Sequence, residues 1–216
     1  RNVDSIIHVA GIVHQPKLKD WSIYEKVNVH LPLELATIAK AQGVSQFIFL
    51  SSMAVFGVEK RLVPTVIDVN TIPSPKSMYG KSKLLAEQEL QKLENSSFSV
   101  CIVRPPNVYG KGCKGNYIPG FLKLVRLLPA IPVAYETVKQ SMLYIDHLCE
   151  FVRLAIERNI RGFYHPQDRE SICAICLMQS LANAHCLSRP SSYVLGKIVM
   201  LFSFLPLIKK IYGGVE

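Results

Sequence analysis

The sequence predicts an α/β fold, a parallel sheet with helices on both faces, followed by a small C-terminal cap. Three observations carry this. Short apolar runs at 5–10, 47–50 and 98–103 alternate with two long amphipathic stretches, 20–42 and 79–93. That order joins neighbouring strands by right-handed crossovers, so the strands lie parallel. Past Gly110 the texture changes: Gly112, Gly115, Pro119, Pro129 and Pro132 surround short helical patterns, which read as a separate element. The 216 residues are 49% hydrophobic and 19% charged, enough apolar surface for a packed core.

Taken in order, Ser5-Ile6-Ile7-His8-Val9-Ala10 is an apolar run ending at Gly11, the pattern of a buried strand. From Asp20 to Gln42, the residues Tyr24, Val27, Leu31, Leu35 and Ile38 mark a helical stripe that Gly43 stops. Phe47-Ile48-Phe49-Leu50 is too short for a helix and reads as a strand, with Ser51 and Ser52 at its carboxyl end. Residues 58–77 carry Pro64, Pro73 and Pro75 and read as loop; a helix then runs from Tyr79 to Leu93, broken by Asn95 and Ser96. Phe98 to Val103 is the next strand, and Phe121 to Leu128 a short helix. Asp146 is expected to cap a helix from His147 to Arg158, and Ser171 one from Ile172 to His185, with a short strand at Gly162-Phe163-Tyr164-His165 between them.

The net charge of +9 comes from 25 scattered Lys and Arg, with no basic run. It reads as solvated surface that suits a nucleotide-bearing substrate better than nucleic acid. Six cysteines lack a framework spacing, which favours reduced thiols and a cytoplasmic protein; Cys173-x-x-Cys176 sits in a helical apolar pattern and reads as core. The apolar run Ile198 to Ile208 holds Ser203 and Pro206 and is about half the roughly 20 residues of a membrane span. Lys197, Lys209 and Lys210 flank it. A packed cap is the favoured role, a membrane-surface helix the other.

The stretch with chemical content is Ser77-Met78-Tyr79-Gly80-Lys81-Ser82-Lys83. On a helix, residues four apart share a face, so the Tyr79 phenol and the Lys83 ammonium are expected side by side. A free phenol titrates near 10; a neighbouring cation and the helix N-terminus would favour phenolate and make Tyr79 a general base.

Four stretches in order, Asp4 to Gly11, Phe49-Leu50-Ser51-Ser52-Met53-Ala54-Val55-Phe56-Gly57, Tyr79-x-x-x-Lys83 and Val103-Arg104-Pro105-Pro106-Asn107-Val108-Tyr109-Gly110, resemble the extended short-chain dehydrogenase/reductase family, in particular its UDP-hexose 4-epimerases. The resemblance covers residues 3 to 160. It implies a Rossmann-type sheet binding NAD, with NADP not excluded, over residues 1–110 and 136–165. Substrate-binding cap segments would be 111–135 and 166–216. Tyr79 would be the base, Lys83 the residue that lowers its pKa and holds the nicotinamide ribose, and Ser52 the hydroxyl on the reacting oxygen. Ala10, Gly11, Ser51 and Pro106 would lie against the cofactor. Asn107, Asn116 and Gln140 would touch a UDP-sugar, and Asn28 would have a structural role. The family also implies a homodimer through the helices at 20–42 and 79–93.

Some features depart from the family. Its opening strand, Gly-rich turn and helix have no counterpart before Asp4, so the chain is expected to be N-terminally truncated, a fragment of a longer enzyme or a truncated product. Gly110-x-Gly112-x-x-Gly115 fits the Gly-rich pattern only on paper, since no strand runs straight into it. Gln140 stands where the family usually has an arginine for the diphosphate, and Phe56 where a tyrosine is common. Ser52-Met53-Ala54 replaces the Thr-Asp-Glu of the sibling dehydratases, which removes their acid and base. Three readings remain: an epimerase, a keto-sugar or sterol-type reductase, and a catalytically dead remnant.

Overall fold

The structure, a computed structural model, describes residues 3–13, 18, 20–68, 70–113, 115 and 117–215. In chain order, β1 (Ser5–His8) leads to α1 (Trp21–Glu25), a π-turn (Lys26–His30) and α2 (Leu31–Ala41). Then come β2 (Gln46–Leu50), a 3-10 turn (Met53–Phe56), α3 (Met78–Gln91), β3 (Ser99–Val103), β4 (Asn107–Tyr109) and α4 (Tyr117–Leu127). After them lie β5 (Ile131–Pro132), β6 (Lys139–Gln140), β7 (Met142–Tyr144), α5 (Ile145–Glu157) and β8 (Gly162–Tyr164). The chain closes with β9 (Ile172–Cys173), α6 (Ala174–Ala184), β10 (Ser191–Ser192), α7 (Tyr193–Leu201) and α8 (Pro206–Tyr212).

Packing divides the chain into two units: 1–58, 71–106 and 146–166, and 59–70, 107–145 and 167–216. The first is a four-stranded sheet in the order β1-β2-β3-β8, all parallel. Successive side chains of a strand point to opposite faces. Accordingly Phe47, Phe49, Val100 and Ile102 pack on one face with Ala36 and Ala39 of α2 and Ala86 and Leu90 of α3. Ile48, Cys101 and Val103 pack on the other with Leu148, Phe151, Val152 and Ala155 of α5. The buried Gln46 amide donates to the carbonyls of Ala155 (2.9 Å) and Ile160 (3.0 Å), tying the end of α5 to the sheet.

In the second unit, β4 pairs with β7 in parallel, so residues 107–110 and 136–145 pack here, whereas the motif order groups them with the sheet. Its core joins α4 and α6 through Phe121, Val125, Ile175 and Met178, with Tyr212 of α8. Gly196 allows α7 to lie on β5: a Cβ there would run into the Val133 backbone.

Three local expectations are corrected. The helical stripe slips by one residue, because the π-turn at Lys26–His30 inserts an extra residue. Tyr24 faces the core as expected, but beyond the turn Pro32, Ala36 and Ala39 do, leaving Leu31 and Ile38 exposed. Asp146 lies within the first turn of α5 and does not precede it. Cys173, not Ser171, caps α6: its Sγ accepts from the Cys176 amide at 3.2 Å.

Candidate active site

Ser77 caps α3, its Oγ accepting from the Gly80 amide at 3.0 Å. Gly80 sits directly against the 3-10 turn: a Cβ at 80 would collide with the Ala54 carbonyl. This close approach brings the start of α3 to the carboxyl end of β2. Ser52 caps the 3-10 turn, its Oγ accepting from Ala54 N at 3.1 Å, and it lies close enough to the Tyr79 phenol to pull its pKa down. The structure thus unites Ser52 and Tyr79. Burial pushes the phenol above its ordinary value, and the neighbouring Ser52 hydroxyl pulls the other way. In this state the phenol is not acidified, in contrast to the expectation from Lys83.

Lys83 is 3% exposed. Its Nζ donates to the Leu50 carbonyl at 2.7 Å and lies 4.4 Å from the centre of the Phe49 ring. Burial lowers it to about 8, opposed in part by the Glu87 charge. The ammonium also lies under Gly11, where an added Cβ would meet Asn28 Oδ1 at 3.0 Å and Lys83 Nζ at 3.5 Å. Asn28, buried in the π-turn, clamps this loop: Nδ2 donates to Ile12 O and Ser82 Oγ, both at 2.9 Å, and Oδ1 accepts from Ile12 N at 2.8 Å. Ala10 and Gly11 are exposed beside it. A glycine cradle over a buried ammonium, with a Ser–Tyr pair at the next strand end, fits the nicotinamide and ribose end of a dinucleotide. Gly110 to Gly115 lies between β4 and α4, outside the four-stranded sheet.

Ser51, Arg104 and Glu87, the last of which sequence reasoning passed over, form a buried network beneath this site. Ser51 is buried and donates to Glu87, so its hydroxyl is engaged away from any ligand. Glu87 in turn takes Arg104 through two bonds, Nε–Oε1 at 3.0 Å and Nη2–Oε2 at 2.7 Å, with both side chains buried. Arg104 lies over the rings of Phe56 (5.1 Å) and Phe163 (4.3 Å). Phe56 therefore serves as a platform for the cation. Glu87 falls eight residues after Tyr79, two helical turns on and near the same face, and that spacing could have flagged it.

His8 is buried between Phe47 and Phe49, with ring centres 6.1 and 5.9 Å away, and its Nε2 has no partner among the described residues. Burial lowers its pKa below 6.5, the Lys83 charge lowers it further, and a bond to the Ala10 backbone opposes them. Burial and Arg104 likewise lower His165. Above pH 6.5 such a ring is neutral folded and unfolded and contributes nothing. Below it the unfolded chain takes up a proton that the folded chain refuses, so stability falls. The melting temperature is expected to drop between about pH 6.5 and 5.5, and His8→Leu to flatten that drop; an unchanged profile in the variant would refute this assignment.

In the second unit, Asn107 lines a cavity of about 550 Å³ with Lys60, Tyr117, Lys123 and Lys210. Gln140 stands beside it, Oε1 accepting from Lys60 Nζ at 2.7 Å and from Tyr117 OH at 3.1 Å. Its buried Nε2 has no partner among the described residues. Burial and then Lys210 lower Lys60 to about 8. The charge that glutamine lacks at position 140 is thus restored by Lys60, which the sequence showed only as one basic residue in a loop. Asn116 lies outside the described residues, and Pro106 ends the run from β3 that belongs to the first unit.

A parallel sheet flanked by helices, with the Ser–Tyr–Lys groups at its carboxyl end, is the architecture of the dinucleotide-fold α/β enzymes. The chain belongs to the NAD dependent epimerase/dehydratase family, whose model matches residues 1–164. It is similar to a UDP-glucose 4-epimerase from Vibrio cholerae, 33% identical over 165 residues, covering 73% of this chain and 49% of that protein. It is also similar to an N-acetyl-alpha-D-glucosaminyl-diphospho-ditrans,octacis-undecaprenol 4-epimerase from Escherichia coli O157:H7, 29% identical over 163 residues (74% of this chain, 47% of that protein). The chain therefore spans about half the length of the curated relatives it matches. Among solved structures, the UDP-glucuronic acid 4-epimerase from Bacillus cereus in complex with NAD shares its fold, with a TM-score of 0.72 and 21% identity over 88% of this chain and 63% of that one.

Proposed function

We propose that the chain carries the substrate half and the nicotinamide end of an NAD-dependent nucleotide-sugar 4-epimerase acting on a UDP-hexose in the cytoplasm, as a homodimer. The observation that carries the reading is the proximity of Ser52 to the Tyr79 phenol at the carboxyl end of β2, with Gly80 of α3 packed directly on the 3-10 turn. Ligands of open parallel sheets bind beyond such strand ends. The similarity to UDP-sugar epimerases supports the substrate class.

In this reading Tyr79 takes the proton of a sugar hydroxyl while Ser52 holds the same oxygen. Lys83, with Gly11 and Ala10 beside it, seats the nicotinamide ribose; Pro106 lines the same end. The bound cofactor supplies a hydride acceptor that later returns the hydride. The Lys60–Gln140 pair holds the diphosphate, and Asn107 and Asn116 touch the UDP-sugar. Leu31 and Ile38, left exposed by the slipped stripe, would serve the dimer.

The test uses protein from the complete reading frame with NAD and UDP-glucose or UDP-N-acetylglucosamine, followed by proton NMR of the sugar. Interconversion with the 4-epimer and no net NADH supports the proposal. Unchanged UDP-hexoses overturn it, and steady consumption of NAD(P)H on a keto-sugar selects the reductase reading. Lys60→Met is expected to raise KM for the UDP-sugar about tenfold or more with kcat little changed, because charge-assisted bonds to phosphate are roughly twice as strong as neutral ones. The wild-type affinity should weaken above about pH 8, as Lys60 loses its proton. Equal KM values in the variant and the wild type would remove Lys60 from the site.

A further inference from the structure

We propose that the outer face of α7, the turn after it and α8 docks on an anionic lipid bilayer. A helix packed on its own domain ordinarily turns polar residues outward. This segment is apolar on both sides. Gly196, Val199, Ile208, Ile211 and Tyr212 face the core of the second unit. The opposite side presents Tyr193, Val194, Ile198, Leu201, Phe204 and Leu207, of which Val194, Leu201 and Phe204 are 71%, 73% and 70% exposed. Within α7, positions 194, 198 and 201 recur at the three- and four-residue spacing of one helix face.

Charge selects the occupant. From Ser171 to Val215 the chain holds no Asp or Glu, while Arg189, Lys197, Lys209 and Lys210 fall within that span. Two copies of this face would oppose like charges; lipid phosphates would complement them. Aromatic and aliphatic side chains beside lysines suit the boundary between headgroups and acyl chains. With nine residues in α7 and seven in α8, neither helix crosses a bilayer, so the segment lies on the surface. The packed cap read from the sequence describes the inner side of this segment, and the membrane-surface helix its outer side.

Vesicle sedimentation tests this on the chain as it stands. It is expected to pellet with phosphatidylcholine vesicles containing phosphatidylglycerol and not with phosphatidylcholine alone. Leu201→Glu with Phe204→Glu should cut the bound fraction at least tenfold. Lys197→Glu with Lys209→Glu should abolish the preference for phosphatidylglycerol. All four side chains are exposed, so circular dichroism should show unchanged folding. As a second readout, Phe204→Trp emission should shift to the blue on the anionic vesicles, against a constant background from Trp21, the single native tryptophan. Absence of sedimentation, or sedimentation that neither pair of substitutions changes, overturns the proposal. So does a wild-type dimer that ignores vesicles and falls apart in Leu201→Glu with Phe204→Glu, which would identify a second copy as the occupant. None of these readouts requires catalysis, so they stand or fall apart from the proposed epimerase reaction.

Discussion

Tyr79→Phe is expected to lower turnover by about 10³-fold, within the range lost when a general base is removed. The substitution keeps the ring and deletes one hydroxyl, at a cost of roughly 1 kcal/mol or less, so the fold should survive. The mechanism also requires a change in the phenol on binding. Buried in the free chain, it sits above its ordinary value, where it is a poor base at neutral pH. A positive nicotinamide near it would favour phenolate. Ultraviolet titration should therefore find a tyrosine that titrates above 10 in the free protein and moves down when oxidised NAD is added. That transition should be missing in Tyr79→Phe. Turnover in the variant near the wild-type level would end the proposed role of Tyr79.

Arg104→Met is expected to be the most destabilising of the single changes considered. Glu87 is fully buried, and the guanidinium supplies its two charge-assisted bonds. Removing one partner of a buried pair leaves the other charge stranded, at a cost of about 3–5 kcal/mol. For a chain of this size that corresponds to a fall in melting temperature of roughly 10 °C. Glu87→Leu combined with Arg104→Met should recover much of the loss, because apolar replacements relieve both desolvation penalties. The readout is a double-mutant cycle by thermal or urea denaturation. If the single change costs no more than a surface substitution, the pair is not what holds β3 to α3.

Local sequence pattern revealed the sheet because its central strands β2 and β3 are buried on both faces and read as unbroken apolar runs. Phe47 to Leu50 and Val100 to Val103 could hardly lie elsewhere. Ser52 and Tyr79 were legible for a different reason: each closes or opens an element, where cap chemistry and family motif coincide. What stayed hidden depended on neighbours distant in sequence. The π-turn at Lys26–His30 has no signature of its own and follows from Asn28 reaching back to Ile12 and Ser82. Lys60 acquires meaning only when folding sets it on Gln140, 80 residues later. The expected acidification of Tyr79 failed on the same ground. Helical spacing fixes which face a side chain occupies, but not that Lys83 would reach for the Leu50 carbonyl.

β1 ends the four-stranded sheet, and among the described residues it pairs with β2 alone. Beside it lies a hollow of about 660 Å³ bordered by Ile6, Leu35, Ile38 and Val44. An end strand next to a mixed polar and apolar hollow, with Asp4 and Gln42 on its rim, is a template for an added extended segment. A peptide of β-forming sequence added in solution would therefore find a row of backbone partners along β1.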